Sequence, residues 1–126
     1  MRKLVLVAKY LSWAVTVMLL AVNVAMAQDA LKVAPKNYKV LLENQRVRVL
    51  DLHIRPSEKI PMHSQLASVN YYLSGCRIKA TLPNGKTTEL DRTEGETLFS
   101  EAGMHAAENV GHTDVHVLIV ELKGRP

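Results

Sequence analysis

Between residues 38 and 122 apolar and polar side chains alternate with a period near two, the spacing of strands that bury one face. The first run, 38–43, reads Tyr-Lys-Val-Leu-Leu-Glu and ends in an Asn44-Gln45 turn. In the second run, 46–55, Val47 and Val49 alternate with Arg46 and Arg48, then Leu52 and Ile54 alternate with Asp51 and His53. The phase slips at Val49-Leu50, which predicts a β-bulge there. After a break at Pro56-Ser57-Glu58, an extended piece over 59–65 leads to a strand over 68–74 and a turn at Gly75. The runs 76–82 and 87–91 flank Pro83-Asn84-Gly85-Lys86, and Asn-Gly between two alternating runs predicts a tight hairpin. Turns at 92–96, Gly103 and Gly111-His112 mark off further strands over 97–100, 105–109 and 115–122. No stretch of this region carries an apolar stripe at helical spacing. Many short strands without crossover helices predict an all-β domain, an antiparallel sandwich or small barrel.

Upstream the pattern changes. Arg2, Lys3 and Lys9 precede an apolar run over 10–24, interrupted only by Ser12, Thr16 and Asn23, and Ala25-Met26-Ala27 follows as an A-x-A cleavage site. Residues 1–27 therefore read as a signal peptide. The alternative is an uncleaved anchor, because the run approaches the roughly 20 residues that span a bilayer. Cleavage leaves residues 28–126, a chain of 99 residues bound for the periplasm or for secretion. Of these, 28–39 form an arm containing Pro35 with no sustained period, and 40–123 form the domain. A chain of this length builds one hydrophobic core, not two.

Composition then narrows the function. The net charge of +4 counts three basic residues of the leader; without them 13 basic residues face 12 acidic ones. A near-neutral domain with no Lys/Arg run lacks the electrostatic footprint of nucleic-acid binding. Membrane contact is expected only through an uncleaved leader. Cys76 is the single cysteine, so no intramolecular disulfide forms, and it reads as a small buried hydrophobe. No Gly-rich phosphate loop and no nucleophile elbow occurs.

Several segments taken together resemble the small single-domain cupins: Glu43 to Leu50, Pro56 to His63, Tyr72-Leu-Ser-Gly75, Gly95, Ala102-Gly-Met-His105 and Glu108-Asn-Val-Gly111. The resemblance implies a double-sheet jelly-roll barrel, in many members with one divalent metal in its lumen, and a homodimer. In the first motif His63 matches the first ligand histidine and Gly75 the closing glycine. Gln65 stands where a second histidine is usual, Ser68 or Val69 where the carboxylate falls, and Ser57 where a glycine is usual. In the second motif Gly95, Gly103, His105 and Asn109 match, Glu101 replaces the usual proline, and one residue is missing between Gly103 and His105.

An open metal site needs three or four N or O donors converging at about 2.0 to 2.2 Å. Strand alternation directs Gln65 as it directs His63, so the resemblance implies His63, Gln65 and His105 as metal ligands. With neutral donors such a site favours Zn2+, Ni2+ or Cu2+ over Fe2+ or Mn2+. The same alternation adds Ser68, Asn70 and Tyr72 to the lumen, giving a polar, uncharged pocket suited to a small organic molecule without metal. His53 reads as a polar-face residue, His112 as a solvated turn residue, and His116 as structural. The resemblance implies a metal-dependent oxygenase or isomerase acting on a small molecule. A non-catalytic, metal-free binding module and a purely structural barrel are the alternatives. No catalytic residue is assigned, although His63, His105 and Tyr72 are the available acid–base groups.

Overall fold

The alternating runs pair into two antiparallel sheets. The computed structural model describes residues 28–124; the leader expected over 1–27, with its cleavage motif, lies outside the described residues. The strands are β1 (Tyr38–Glu43), β2 (Val47–Ile54), β3 (Lys59–Gln65), β4 (Ser68–Tyr72), β5 (Cys76–Thr81), β6 (Thr87–Arg92), β7 (Thr97–Ser100), β8 (Gly103–Asn109) and β9 (Val115–Leu122). One sheet has the order β1-β2-β9-β4-β7 and the other β3-β8-β5-β6. All pairs are antiparallel. The predicted runs appear within one or two residues of their expected ends.

The core lies between the sheets and follows the alternation. Leu50, Leu52 and Ile54 of β2 and Val115, Val117 and Ile119 of β9 point inward and are buried, joined by Ile60 and Cys76. Each such side chain contributes roughly 1.5–3 kcal/mol through removal from water. The Cys76 thiol is buried, and that desolvation raises its pKa, consistent with an inert core residue. At the Asn84-Gly85 turn Gly85 takes φ +84°, the left-handed backbone the hairpin requires, and Leu82 and Lys86 close it through a 2.9 Å hydrogen bond from Leu82 N–H.

The bulge expected in β2 lies elsewhere. β2 pairs with β9 in unbroken register from Val47↔Leu122 to Ile54↔Val115. The irregularity sits on β1, where Leu41 is the extra residue opposite Leu50 and Val49. The phase slip arises because Arg48 shares the inward face with Leu50, Leu52 and Ile54. It donates from Nε to Glu121 Oε2 at 2.7 Å and from its two terminal nitrogens to Asp29 at 3.0 and 2.6 Å. The Glu121 side chain is 2 % exposed and that of Arg48 12 %. A paired, hydrogen-bonded charge therefore occupies a position where the pattern predicts an apolar residue.

The arm also packs on the barrel. It contains one turn of helix, α1 (Ala30–Val33), and buries Ala30 and Ala34 in the core. Asp29 bridges to Ser64 of β3 and to Arg48 of β2, so the arm ties the two sheets together. The Arg48 guanidinium holds the Asp29 carboxyl below its usual range.

Candidate functional site

β3 carries a second irregularity, between Ile60 and His63. Pro61 lacks an N–H for the ladder, and the extra residue beside it changes the phase. Ile60 and His63, three residues apart, consequently both face inward at 1 % exposure. The register then sets His63 directly opposite His105 of β8, with ring centroids 4.7 Å apart and an edge-to-face angle of 65°. His63 Nδ1 lies 2.8 Å from the Pro61 carbonyl oxygen, which only accepts, so Nδ1 carries a proton. Tyr38 Oη lies 3.5 Å from His63 Nε2. Burial, with His63 beside it, lowers the His105 pKa to about 4, so His105 is neutral at pH 7.

Three of the other expected pocket residues, Gln65, Ser68 and Asn70, form a connected chain that ends on Ser100. Gln65 Nε2 donates to Ser68 Oγ at 2.9 Å, Ser68 Oγ to Asn70 Oδ1 at 3.3 Å, and Asn70 Nδ2 to Ser100 Oγ at 2.8 Å. A cavity of about 230 Å3 opens beside them. Gln65, Asn70, Tyr72 and His105 line it, whereas His63 and Ser68 sit behind its wall. Much of its lining is apolar, from side chains such as Leu52, Ile54, Ile78, Leu98 and Ile119.

Three polar cavity residues, Tyr38, Ser100 and Arg92, are not marked by the sequence pattern. Ser100 ends the short strand β7, and nothing in the pattern distinguishes it from a solvated serine. The pattern predicts a turn at Arg92, but β6 extends to include it, paired with Cys76. Its guanidinium lies 5.8 Å from the Tyr72 ring centroid, and Nη1 donates to Glu96 Oε1 at 3.2 Å. Arg92 Nε is buried and has no hydrogen-bond partner among the described residues. An unpaired buried donor costs about 1–3 kcal/mol, and a ligand acceptor relieves that cost.

Tested against a divalent ion, the lumen is short of charge. His63, His105 and Gln65 offer two neutral imidazoles and an amide whose nitrogen already serves Ser68. The buried Glu121 carboxylate, with Asp29, is held by Arg48. Among the described residues no carboxylate completes the set as it would in an open two-His-one-carboxylate site.

Outside the barrel a different group assembles. Asp51 and His53 lie two residues apart on the outer face of β2, and His116 of β9 is directly opposite His53. The two rings stack with centroids 3.8 Å apart, and His116 Nε2 lies 2.7 Å from Asp51 Oδ1. The candidate ligand atoms of the three residues all lie within 4.8 Å of one another, so this group can hold a metal ion. The residue types were visible beforehand, but the β2–β9 register that unites them was not.

No protein-family profile and no curated protein matches the chain. Solved structures do. A cupin domain from Bordetella pertussis Tohama I is similar over 69% of this chain and 92% of its own, at 20% identity and a TM-score of 0.64. A conserved protein with a double-stranded β-helix domain from Klebsiella pneumoniae matches at 24% identity and a TM-score of 0.55, covering 71% of this chain and 78% of its own. The polyketide cyclase RemF from Streptomyces resistomycificus matches at 22% identity and a TM-score of 0.51, covering 71% of this chain and 66% of its own. The fold is therefore that of a small single-domain cupin, an all-β jelly roll of two antiparallel sheets.

Proposed function

We propose that the barrel binds a small, mainly apolar organic molecule bearing a carboxylate or carbonyl oxygen, without requiring a metal. The observation that carries this reading is the cavity of about 230 Å3, largely apolar in its lining, with Arg92, whose Nε is buried and unpaired, among the lining residues. Its volume lies just below the usual range for drug-sized ligands, which limits the occupant to a small molecule. Gln65, Asn70, Ser100 and neutral His105 supply hydrogen bonds without net charge, so the cationic group of the lining is Arg92, whose Nη1 pairs with Glu96 and whose Nε is left for a ligand acceptor. The leader supports export to the periplasm or beyond.

Calorimetry on small carboxylates and matched amines tests this reading. Carboxylates should bind, amines should not, and Ala107→Phe, which fills the cavity wall, should abolish binding in a folded protein. Binding that survives Ala107→Phe unchanged would place the ligand elsewhere.

One observation favours a second reading, the metal-dependent enzyme. His63 donates Nδ1–H to a backbone carbonyl and presents Nε2, the arrangement that orients a ligating imidazole. The cyclase is a precedent for catalysis at the level of fold alone. Zn2+, Ni2+ or Cu2+ would suit these neutral donors better than Fe2+ or Mn2+. Metal content lost in His63→Ala and His105→Ala would favour this reading over the first.

A further inference from the structure

We propose that Asp51, His53 and His116 form a binding site for a divalent transition-metal ion of the zinc, copper or nickel class, on the outer face of the five-stranded sheet. The site is separate from the barrel cavity. Leu52 and Ile54, the neighbours of His53 in β2, and Val115 and Val117, the neighbours of His116 in β9, all point into the core. Alternation therefore sends both histidines and Asp51 to the opposite face.

Two rigid features bring the donors together. Cross-strand partners keep their Cβ atoms about 4.5–5.5 Å apart, and residues two apart on one strand share a face. The β2–β9 pair lies inside the sheet, flanked by β1 and β4, so its register is held from both sides. Asp51 Oδ1 already lies 2.7 Å from His116 Nε2 and 3.6 Å from His53 Nε2. It is the central oxygen between two imidazole nitrogens. Side-chain exposures of 24 %, 51 % and 31 % for Asp51, His53 and His116 leave the rings room to turn from stacking toward a common ion, and leave the ion open to water.

The chemistry selects the class of ion. Two imidazole nitrogens and one carboxylate suit zinc, copper and nickel, and three protein donors leave at least one coordination position for water or another ligand. In contrast to the lumen, this set includes a carboxylate, which neutralises part of the ion's charge. The resemblance implies a metal at His63, Gln65 and His105 inside the barrel, whereas the group that includes a carboxylate lies outside it.

The test is titration of tag-free protein with Zn2+, Cu2+ and Ni2+ by calorimetry, with electron paramagnetic resonance of the Cu2+ form. Wild type should bind one equivalent, and the Cu2+ spectrum should show coupling to two imidazole nitrogens. Affinity should fall at least about tenfold in His53→Ala, His116→Ala and Asp51→Asn, and stay within twofold in His105→Ala and His63→Ala. All three outer positions are at least partly solvent-exposed, so these variants should retain the wild-type circular dichroism. Undiminished affinity in the outer variants, loss confined to the lumen variants, or no saturable binding by wild type would each overturn the proposal.

Discussion

His105 shows how position changes the chemistry of a side chain. In the unfolded chain it titrates near the ordinary histidine value, whereas burial beside His63 lowers it to about 4. The unfolded state therefore binds the proton first as pH falls. The stability that neutral His105 contributes is fully present above pH 6.5 and is lost progressively toward pH 4. The loss is on the order of 3 kcal/mol. Urea titrations at several pH values should show a shallower acid slope for His105→Gln than for wild type. Parallel slopes would mean that His105 is not desolvated as described. Strand alternation alone puts Ser68, Asn70 and Tyr72 on one face of β4, of which Asn70 and Tyr72 line the cavity and Ser68 lies behind its wall. Arg92 was not legible, because an arginine after an alternating run reads as solvated unless the opposite sheet is known to cover it.

At the scale of elements, the strand boundaries and the Asn84-Gly85 hairpin were written locally in residue types. The bulges were not. The β2 phase slip was visible, but a bulge and a buried ion pair produce the same slip, and only the register with β9 separates them. Ser57, which stands where the resemblance places a glycine, has φ +70°, so the backbone there takes the left-handed form that glycine favours. The charged cluster that joins β2, β9 and the arm has a measurable consequence. Arg48→Met would leave Glu121 buried without its partner, and removing one member of a buried pair costs about 3–5 kcal/mol. Denaturant unfolding should report a loss of that order. A change below about 1 kcal/mol would show that Glu121 does not depend on Arg48.

At the scale of the molecule, the outer face of the larger sheet carries an apolar row across four strands: Val49, Val120, Val69 and Phe99 in register. Val69 and Phe99 are 37% and 57% exposed. The cupin resemblance implies a homodimer, and we propose that it forms through the β4–β7 end of this row, away from Asp51 and His53. Light scattering on Val69→Lys/Phe99→Glu should show a monomer where wild type shows a dimer; a monomeric wild type would remove the proposal. The overall architecture was legible because cupin-like segments recur in order along the chain. The site was legible only in part, since both the cavity and the outer triad depend on which strands become neighbours.

The central claim is that the barrel interior is a binding cavity. Methyl-resolved NMR of the protein titrated with a small carboxylate that binds it tests this most directly. Contacts from the ligand to methyl groups of Leu52, Ile78, Leu98 and Ile119, all lining the cavity, are the predicted result. Contacts confined to the outer row of Val49, Val69 and Val120, with the interior methyls unperturbed, would contradict it.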